Sequence, residues 1–358
     1  MFNHLKKLDW VLFSSVLLLL GAGLLIIYSI GSPESLMFFK KQFLFAIFGF
    51  FAMIGLSFLD YRIFKNSYVL LALYLLSLFL LTAVLFAGEV KGASSWFQLG
   101  PLGFEPIEFI KIIIILFLAK YFSLRHIEVY QTRHLIVSGA YIGLPVIAVL
   151  LQPDFGSILV LFAVWLGIIL ISGIKLRHFI ALILIMILLF IGGWFGVLKD
   201  YQKQRIATFL NPLEDIYGGG YHINQSLIAV GSGELFGRGL DFSPQAGLKF
   251  LPEQHNDFIF ATLAEQRGLV GVFYLLIIFA LLFWRIIKIA LNATNNFSRL
   301  FATGFVIMIF AQMTINIGMN IAILPITGLT LPMVSYGGSS LWSIFIGMGI
   351  LQSIKARS

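Results

Sequence analysis

The apolar residues of this chain gather in blocks of roughly 16 to 24 with almost no charge between them. That is the length of α-helix that crosses a hydrocarbon core about 30 Å thick. The pattern predicts an all-α integral membrane protein with ten spans, at roughly 10–30, 42–59, 67–87, 107–122, 135–151, 157–173, 178–198, 268–288, 300–323 and 339–354. Lone Gly and Pro residues inside these blocks do not oppose helix, because neighbouring helices can re-satisfy the backbone. The first block, from Trp10, is too long for a signal-peptide core and no small-residue cleavage site follows it, so it is expected to stay as a span. No internal repeat is visible, and a transporter of inverted repeats gains no support.

The polar stretches between the blocks set the orientation. With the N-terminus inside, fourteen Lys and Arg fall in inner segments (Lys6, Lys7 and Arg62 through Lys355 and Arg357), against Lys40, Lys41, Lys91 and Lys111 outside. Such a bias predicts both termini in the cytoplasm. Residues 199–256 form one long outer loop within an otherwise single polytopic domain, 1–358, and hold 11 charged residues. A 58-residue connection rich in aromatics and regularly spaced Gly is expected to be ordered and functional, which puts the working face outside.

Composition agrees. Only 11% of residues are charged, well short of the ~25% of a soluble domain. The net charge of +8 resides largely in inner loops and so points to topology rather than nucleic acid. There is no cysteine, which excludes disulfides, thiolate metal sites and cysteine nucleophiles.

Ionisable groups in or beside spans are costly and mark functional sites. Four stretches qualify. Span four opens on Glu105-Pro106-Ile107-Glu108 with Lys111 one turn on, and Glu108 and Lys111 at i, i+3 can pair. That pair either neutralises a helix start or lines a polar site. Gln152-Pro153-Asp154-Phe155-Gly156-Ser157 is an outer turn in which Asp154 can cap the next helix. The loop ends on Glu253, His255 and Asp257, three proton carriers running into an apolar helix. Asp257 is either a partly desolvated general base or an N-cap for a helix from Phe258. A metal site on His255 and Asp257 has too few ligands. Before span ten, Leu331 through Ser340, with Ser335 and Ser339, offers small residues and amides suited to oxyanions. Gly231 through Gly239 could likewise hold phosphate, without dinucleotide spacing. Ser172-Gly-Ile-Lys175 matches a penicillin-binding motif on the wrong side of the membrane.

Together these stretches resemble the SEDS family (shape, elongation, division and sporulation), its RodA branch in particular. The resemblance rests on Lys91-Gly92-Ala93, Trp96 and Gly100-Pro101; Glu105-Pro106, Glu108 and Lys111; Gln152 to Gly156; Arg205-Ile206 with Asn211-Pro212; Gln225-Ser226; Leu251 to Glu253, His255 and Asp257 to Phe260; and Pro325 to Ser340. It implies an inverting glycosyltransferase that polymerises lipid II in the bacterial inner membrane. It further implies a class B penicillin-binding protein as transpeptidase partner and a role in elongating rod-shaped cells. Asp257 matches the family's catalytic aspartate, and Trp96, Glu108 and Lys111 match cavity positions. Asp154 matches a turn acid, and Glu253 and His255 flank the base. Ser95, Ile107 and Asn256 depart from the common pattern.

Such a transfer needs a base for the acceptor hydroxyl and cations for the departing diphosphate. Lys111, Arg205 and Arg238 are the candidates, with a divalent ion such as Mg or Mn as a candidate cofactor. The rival reading is a lipid II flippase, which the in-span pair also suits. Against it, the polar residues gather at the outer face.

Overall fold

The computed structural model describes residues 6–87, 95–99, 102–125, 132–196, 200–215, 218–239, 251 and 253–357. The motif residues Lys91 to Ala93, Gly100, Pro101 and Pro252 lie outside them. Helices follow the apolar blocks: α1 Trp10–Ser29, α2 Pro33–Phe58, α3 Ser67–Val84, α4 Pro106–Ser123, α5 Thr132–Leu151, α6 Phe155–Ile171 and α7 Leu176–Gly196. The long connection carries α8 Asp200–Leu210 and α9 Gly219–Ser232. The remaining helices are α10 Ile259–Leu291, α11 Asn296–Asn320 and α12 Gly338–Arg357. Seven of them (α1, α2, α3, α5, α7, α10 and α11) are long and apolar enough to cross a membrane.

Local chemistry places the helix starts. Asp9, Asn66, Asp154 and Asn295 each accept a hydrogen bond from a first-turn N–H, which satisfies donors the helix cannot. Ser32 caps α2 with Pro33 at its first position, so this helix begins well before the apolar run expected at 42 and takes in Lys40 and Lys41. The capping Ser and the fixed φ of proline outweigh hydropathy there.

At the core lies α11, packed against α4, α6 and α10, while α12 packs on α2 and α4. On α7 no described residue is buried, as suits a helix facing lipid. At one end of the bundle Asp9 is nearly enclosed and receives Arg285 of α10 through Nε at 3.1 and 3.0 Å, and through Nη2. Gln352 of α12 brackets the Asp9 backbone, accepting its N–H at 2.9 Å and donating to its carbonyl at 3.0 Å. Arg285, expected to be a topological charge alone, therefore also ties three helices together.

Within α10 the chain breaks at Gly268, at φ 63° and ψ −162°. The turn after α9 fills the break: Arg238 N–H and Gly239 N–H donate to the Glu265 and Gln266 carbonyls, and Leu269 and Val270 N–H to those of Glu234 and Leu235. Backbones approach so closely that a Cβ on Gly233 would stand 1.9 Å from the Ala264 oxygen, and one on Gly268 2.4 Å from the Gly237 nitrogen. The Gly-rich stretch read as a phosphate cradle instead supplies backbone to this joint. Gly268→Ala combines a disfavoured backbone conformation with that clash, and is expected to cost at least about 2 kcal/mol. A melting midpoint in detergent equal to wild type would show that the joint is loose.

Candidate functional site

The segment before α10 is a tight turn built on one carbonyl. Glu253 has φ 46°, and its carbonyl receives the N–H groups of Asn256, Asp257 and Phe258. The helix then starts at Ile259, with Phe258 as its cap and no side-chain cap hydrogen bond. Asp257 is therefore not the N-cap. Its main-chain carbonyl accepts from Asn316 Nδ2 at 3.1 Å and Asn320 Nδ2 at 2.9 Å, both of α11. Asn320 also accepts from Ala261 N–H at 3.0 Å, and Asn316 donates to the Leu329 carbonyl at 2.7 Å. A carbonyl with two amide donors cannot swing, and this holds Asp257 in place. Its carboxylate faces the turn at Gly328, where a Cβ would lie 3.8 Å from Oδ2.

The stretch before α12 braces the same turn from the other side. Ser335 Oγ donates to the Asn256 carbonyl at 2.6 Å and accepts from Leu331 N–H at 2.8 Å. Tyr336 N–H donates to the His255 carbonyl at 2.8 Å, and Gln42 of α2 donates to the Ser335 carbonyl at 3.0 Å. His255 stacks on Phe38 at 4.0 Å between centroids, with Nε2 3.8 Å from Glu253 Oε2. Ser335, expected to offer an oxyanion donor, spends its hydroxyl on this bracing.

The start of α4 supplies the charges. Glu108 and Lys111 are buried, with Nζ 2.7 Å from Oε1, and Gln312 of α11 reaches Glu108 Oε2 at 3.5 Å. One turn of α4 thus carries a closed ion pair inside the bundle. Preceding it, an antiparallel hairpin, β1 Phe97–Leu99 and β2 Leu102–Phe104, lays Trp96 over Gly103, where a Cβ would stand 2.9 Å from the indole. The hairpin delivers Glu105, whose N–H donates to Ser339 Oγ at 2.9 Å. Glu105 stands outside the apolar span and makes no capping bond with its side chain. Burial, then the Glu108 and Asp154 carboxylates, push it well above the usual carboxylate range; Lys111 offsets part of this, and Asp257 adds to it.

Other expected residues are engaged in local contacts or lie elsewhere. Asp154 caps α6 through the Ser157 N–H at 3.0 Å. Arg238 is exposed and donates to the Ser232 carbonyl at 3.0 Å. Arg205 lines a separate cleft of about 310 Å³ with Thr208, Asp215, Gly218 and Ile326. Among the described residues no group of three or more His, Asp or Glu is placed to hold a metal ion by itself.

Gln312, Asn316 and Asn320 were missed by a search confined to ionisable groups. The signal was present: three amides spaced by four place one polar face inside an apolar helix.

The chain matches the FtsW, RodA and SpoVE family, described as cell cycle proteins, over residues 9–358. Stage V sporulation protein E of Bacillus subtilis is 37% identical over 98% of this chain and 97% of its own length. Peptidoglycan glycosyltransferase MrdB of Escherichia coli is 40% identical over 80% of this chain and 77% of its own. Among solved structures, a chain of a peptidoglycan synthase complex coordinating polymerization and crosslinking superposes with TM-score 0.83 at 30% identity, over 97% of both chains. The rod shape determining protein RodA of Thermus thermophilus gives TM-score 0.72 at 30% identity, over 97% of this chain and 96% of its own.

The buried pair yields a test of the cavity. Glu108→Gln or Lys111→Met alone leaves an uncompensated charge and is expected to cost about 3–5 kcal/mol. The double change is expected to recover most of that, read as a melting midpoint in detergent. Additive losses would show that the two side chains act independently.

Proposed function

From the premise that this chain belongs to the FtsW, RodA and SpoVE family of cell cycle proteins, we propose that it polymerises the glycan strands of peptidoglycan from lipid II. The observation that carries the reading is Asp257, whose main chain is held by α11 just before an apolar helix and whose carboxylate faces the turn at Gly328.

The chemistry follows from these residues. Asp257 takes the proton of the acceptor sugar hydroxyl as that oxygen attacks the anomeric carbon of the donor. The bond from that carbon to the diphosphate breaks, and the electron pair leaves with the lipid diphosphate, which needs no protonation. A single displacement of this kind inverts an α-linked donor to a β-linkage. Lys111 is closed on Glu108, so the exposed Arg205 and Arg238 of the segment between α7 and α10 are the cations proposed to meet the departing charge. No step is assigned to a metal.

The same reading places ten helices across the inner membrane as one polytopic domain. It adds α4, α6 and α12 to the seven apolar spans, with both termini cytoplasmic and residues 199–256 outside. The RodA branch supports a role in elongation rather than division. The neighbouring synthase complex supports a class B penicillin-binding protein as crosslinking partner.

Two measurements check this. In a chain without cysteine, Glu214→Cys is expected to react with an impermeant thiol reagent in intact spheroplasts, and Lys175→Cys to stay unlabelled. The opposite pattern sinks the orientation. For the chemistry, Asp257→Asn keeps the main-chain carbonyl that Asn316 and Asn320 hold, so it folds. An amide cannot accept the hydroxyl proton, and product formed from purified lipid II is expected to fall by about 10²–10⁴-fold. Glu253→Gln and His255→Gln are expected to keep measurable activity. Near-normal polymerisation by Asp257→Asn would falsify the base. A wild type that moves lipid II across a bilayer but makes no glycan would establish the flippase instead.

A further inference from the structure

The cleft beside Arg205 is built from small residues and tied to the base by a chain of contacts. Gly218 and Gly219 let the turn after α8 fold against the start of α9. There Asp215 Oδ2 accepts Gly219 N–H at 2.8 Å and the Thr208 hydroxyl at 3.4 Å, and a Cβ on Gly218 would stand 2.5 Å from Oδ1. This joins α8 to α9 and leaves between them about 310 Å³, lined further by Gln204, Arg205, Ile223 and Ile326.

Two ties fix that space relative to Asp257. On α9 the buried Ser226 Oγ donates to the Asn320 carbonyl at 2.8 Å, and the Asn320 side chain holds the Asp257 carbonyl at 2.9 Å. One asparagine therefore registers the cleft with the base. Ile326 is the second tie: it lines the cleft and packs against Ala229, Leu251, Phe258 and Ala261. It stands two residues from Gly328, at most ~7 Å of chain, and a Cβ on Gly328 would lie 3.8 Å from Asp257 Oδ2. The wall of the cleft and the base border neighbouring parts of one bound molecule.

We propose that this cleft is a substrate subsite, in which Arg205 takes an oxyanion of the lipid-linked saccharide while Gln204, Ile223 and Ile326 take an acetamido group beside it. This deepens the glycosyltransferase reading and rests on it. The charge offered to a ligand is positive, because Asp215 is engaged in the frame. Arg205 is exposed, and among the described residues no hydrogen bond or ion pair occupies its guanidinium. That planar fork matches a carboxylate or a phosphate with two parallel bonds. The Gln204 amide both donates and accepts, and the two isoleucines suit a methyl group. Ligand pockets hold roughly 300–1,000 Å³, so this one admits a sugar ring with its substituents and not a lipid tail. Two parts of the substrate carry oxyanions, the diphosphate and the carboxylates of the attached peptide.

Binding can be read without turnover in the full-length Asp257→Asn chain, with fluorescent lipid II in detergent. Adding Arg205→Gln is expected to raise Kd at least about tenfold, the loss of a charge-assisted hydrogen bond, and to leave the melting midpoint unchanged. Lys203→Gln removes the same charge from the same helix outside the cleft, and is expected to stay within about twofold. Inorganic diphosphate and the soluble disaccharide-peptide without its lipid then serve as competitors. The one that displaces lipid II when Arg205 is present, and fails against Arg205→Gln, identifies the oxyanion as phosphate or as carboxylate. No binding by Asp257→Asn, an unchanged Kd in Arg205→Gln, a fall in its midpoint, an equal loss in Lys203→Gln, or displacement by neither competitor each overturns the subsite. If wild type polymerises while Arg205→Gln binds unchanged, the subsite fails and the glycosyltransferase reading stands. If wild type makes no glycan while binding still depends on Arg205, that reading fails and the subsite stands.

Discussion

Backbone groups inside a bilayer must find partners within the protein, since an unpaired one costs several kcal/mol. In this protein the carbonyl of Asp257 is where that constraint decides the rest. Helix α10 cannot satisfy it, so two asparagines from α11 do. Their own remaining capacity goes to Leu329 and to Ala261, on the two chain segments that border the site. One orphan carbonyl thus draws α11, the start of α10 and the turn at Gly328 into a single rigid block. The carboxylate that performs the proposed chemistry is positioned by what happens on its own main chain.

Much of the architecture could be read from hydropathy, because span length and apolar composition are properties of the segment alone. Where a boundary depends on a cap or a distant partner, hydropathy fails. Helix α2 starts at Pro33 because Ser32 caps it. The break at Gly268 coincides with the expected start of span eight, while Ile259 onward is already helix. That first stretch depends on Asn320 and on the turn after α9, partners remote in sequence. The site was legible in the same uneven way. The pair of Glu108 and Lys111 follows from i, i+3 spacing, whereas spacing leaves Asp257 open between cap and base, and it is Phe258 that holds the cap position. Ser335 and the Gly-rich turn drew chemical readings because their types suit anions. Their hydroxyl and amides are taken up by neighbouring backbone instead.

The charges of the molecule are divided by task. At one end Asp9 and Arg285 form a pair bracketed by Gln352, which fixes α1, α10 and α12 together. In the interior Glu108 and Lys111 close on each other, so two ionised groups are carried into the bundle with no net field beyond their dipole. About Glu105 the balance is poorer: the Glu108, Asp154 and Asp257 carboxylates act on it against Lys111, which is already engaged. Unbalanced charge is costly where it is buried, and its presence near the proposed base is the pattern expected of a functional site.

The joint between the turn after α9 and the break in α10 is made of amides and carbonyls, with glycines admitting the close approach. Its hydrogen bonds run from main chain to main chain, whatever side chains Glu234, Arg238 and Glu265 carry. Such amide-to-carbonyl bonds carry no titrating group, in contrast to the clamp at Asp9. A change of side chain that keeps the main-chain path keeps these bonds, so the segment after α9 is fastened to α10 by its backbone.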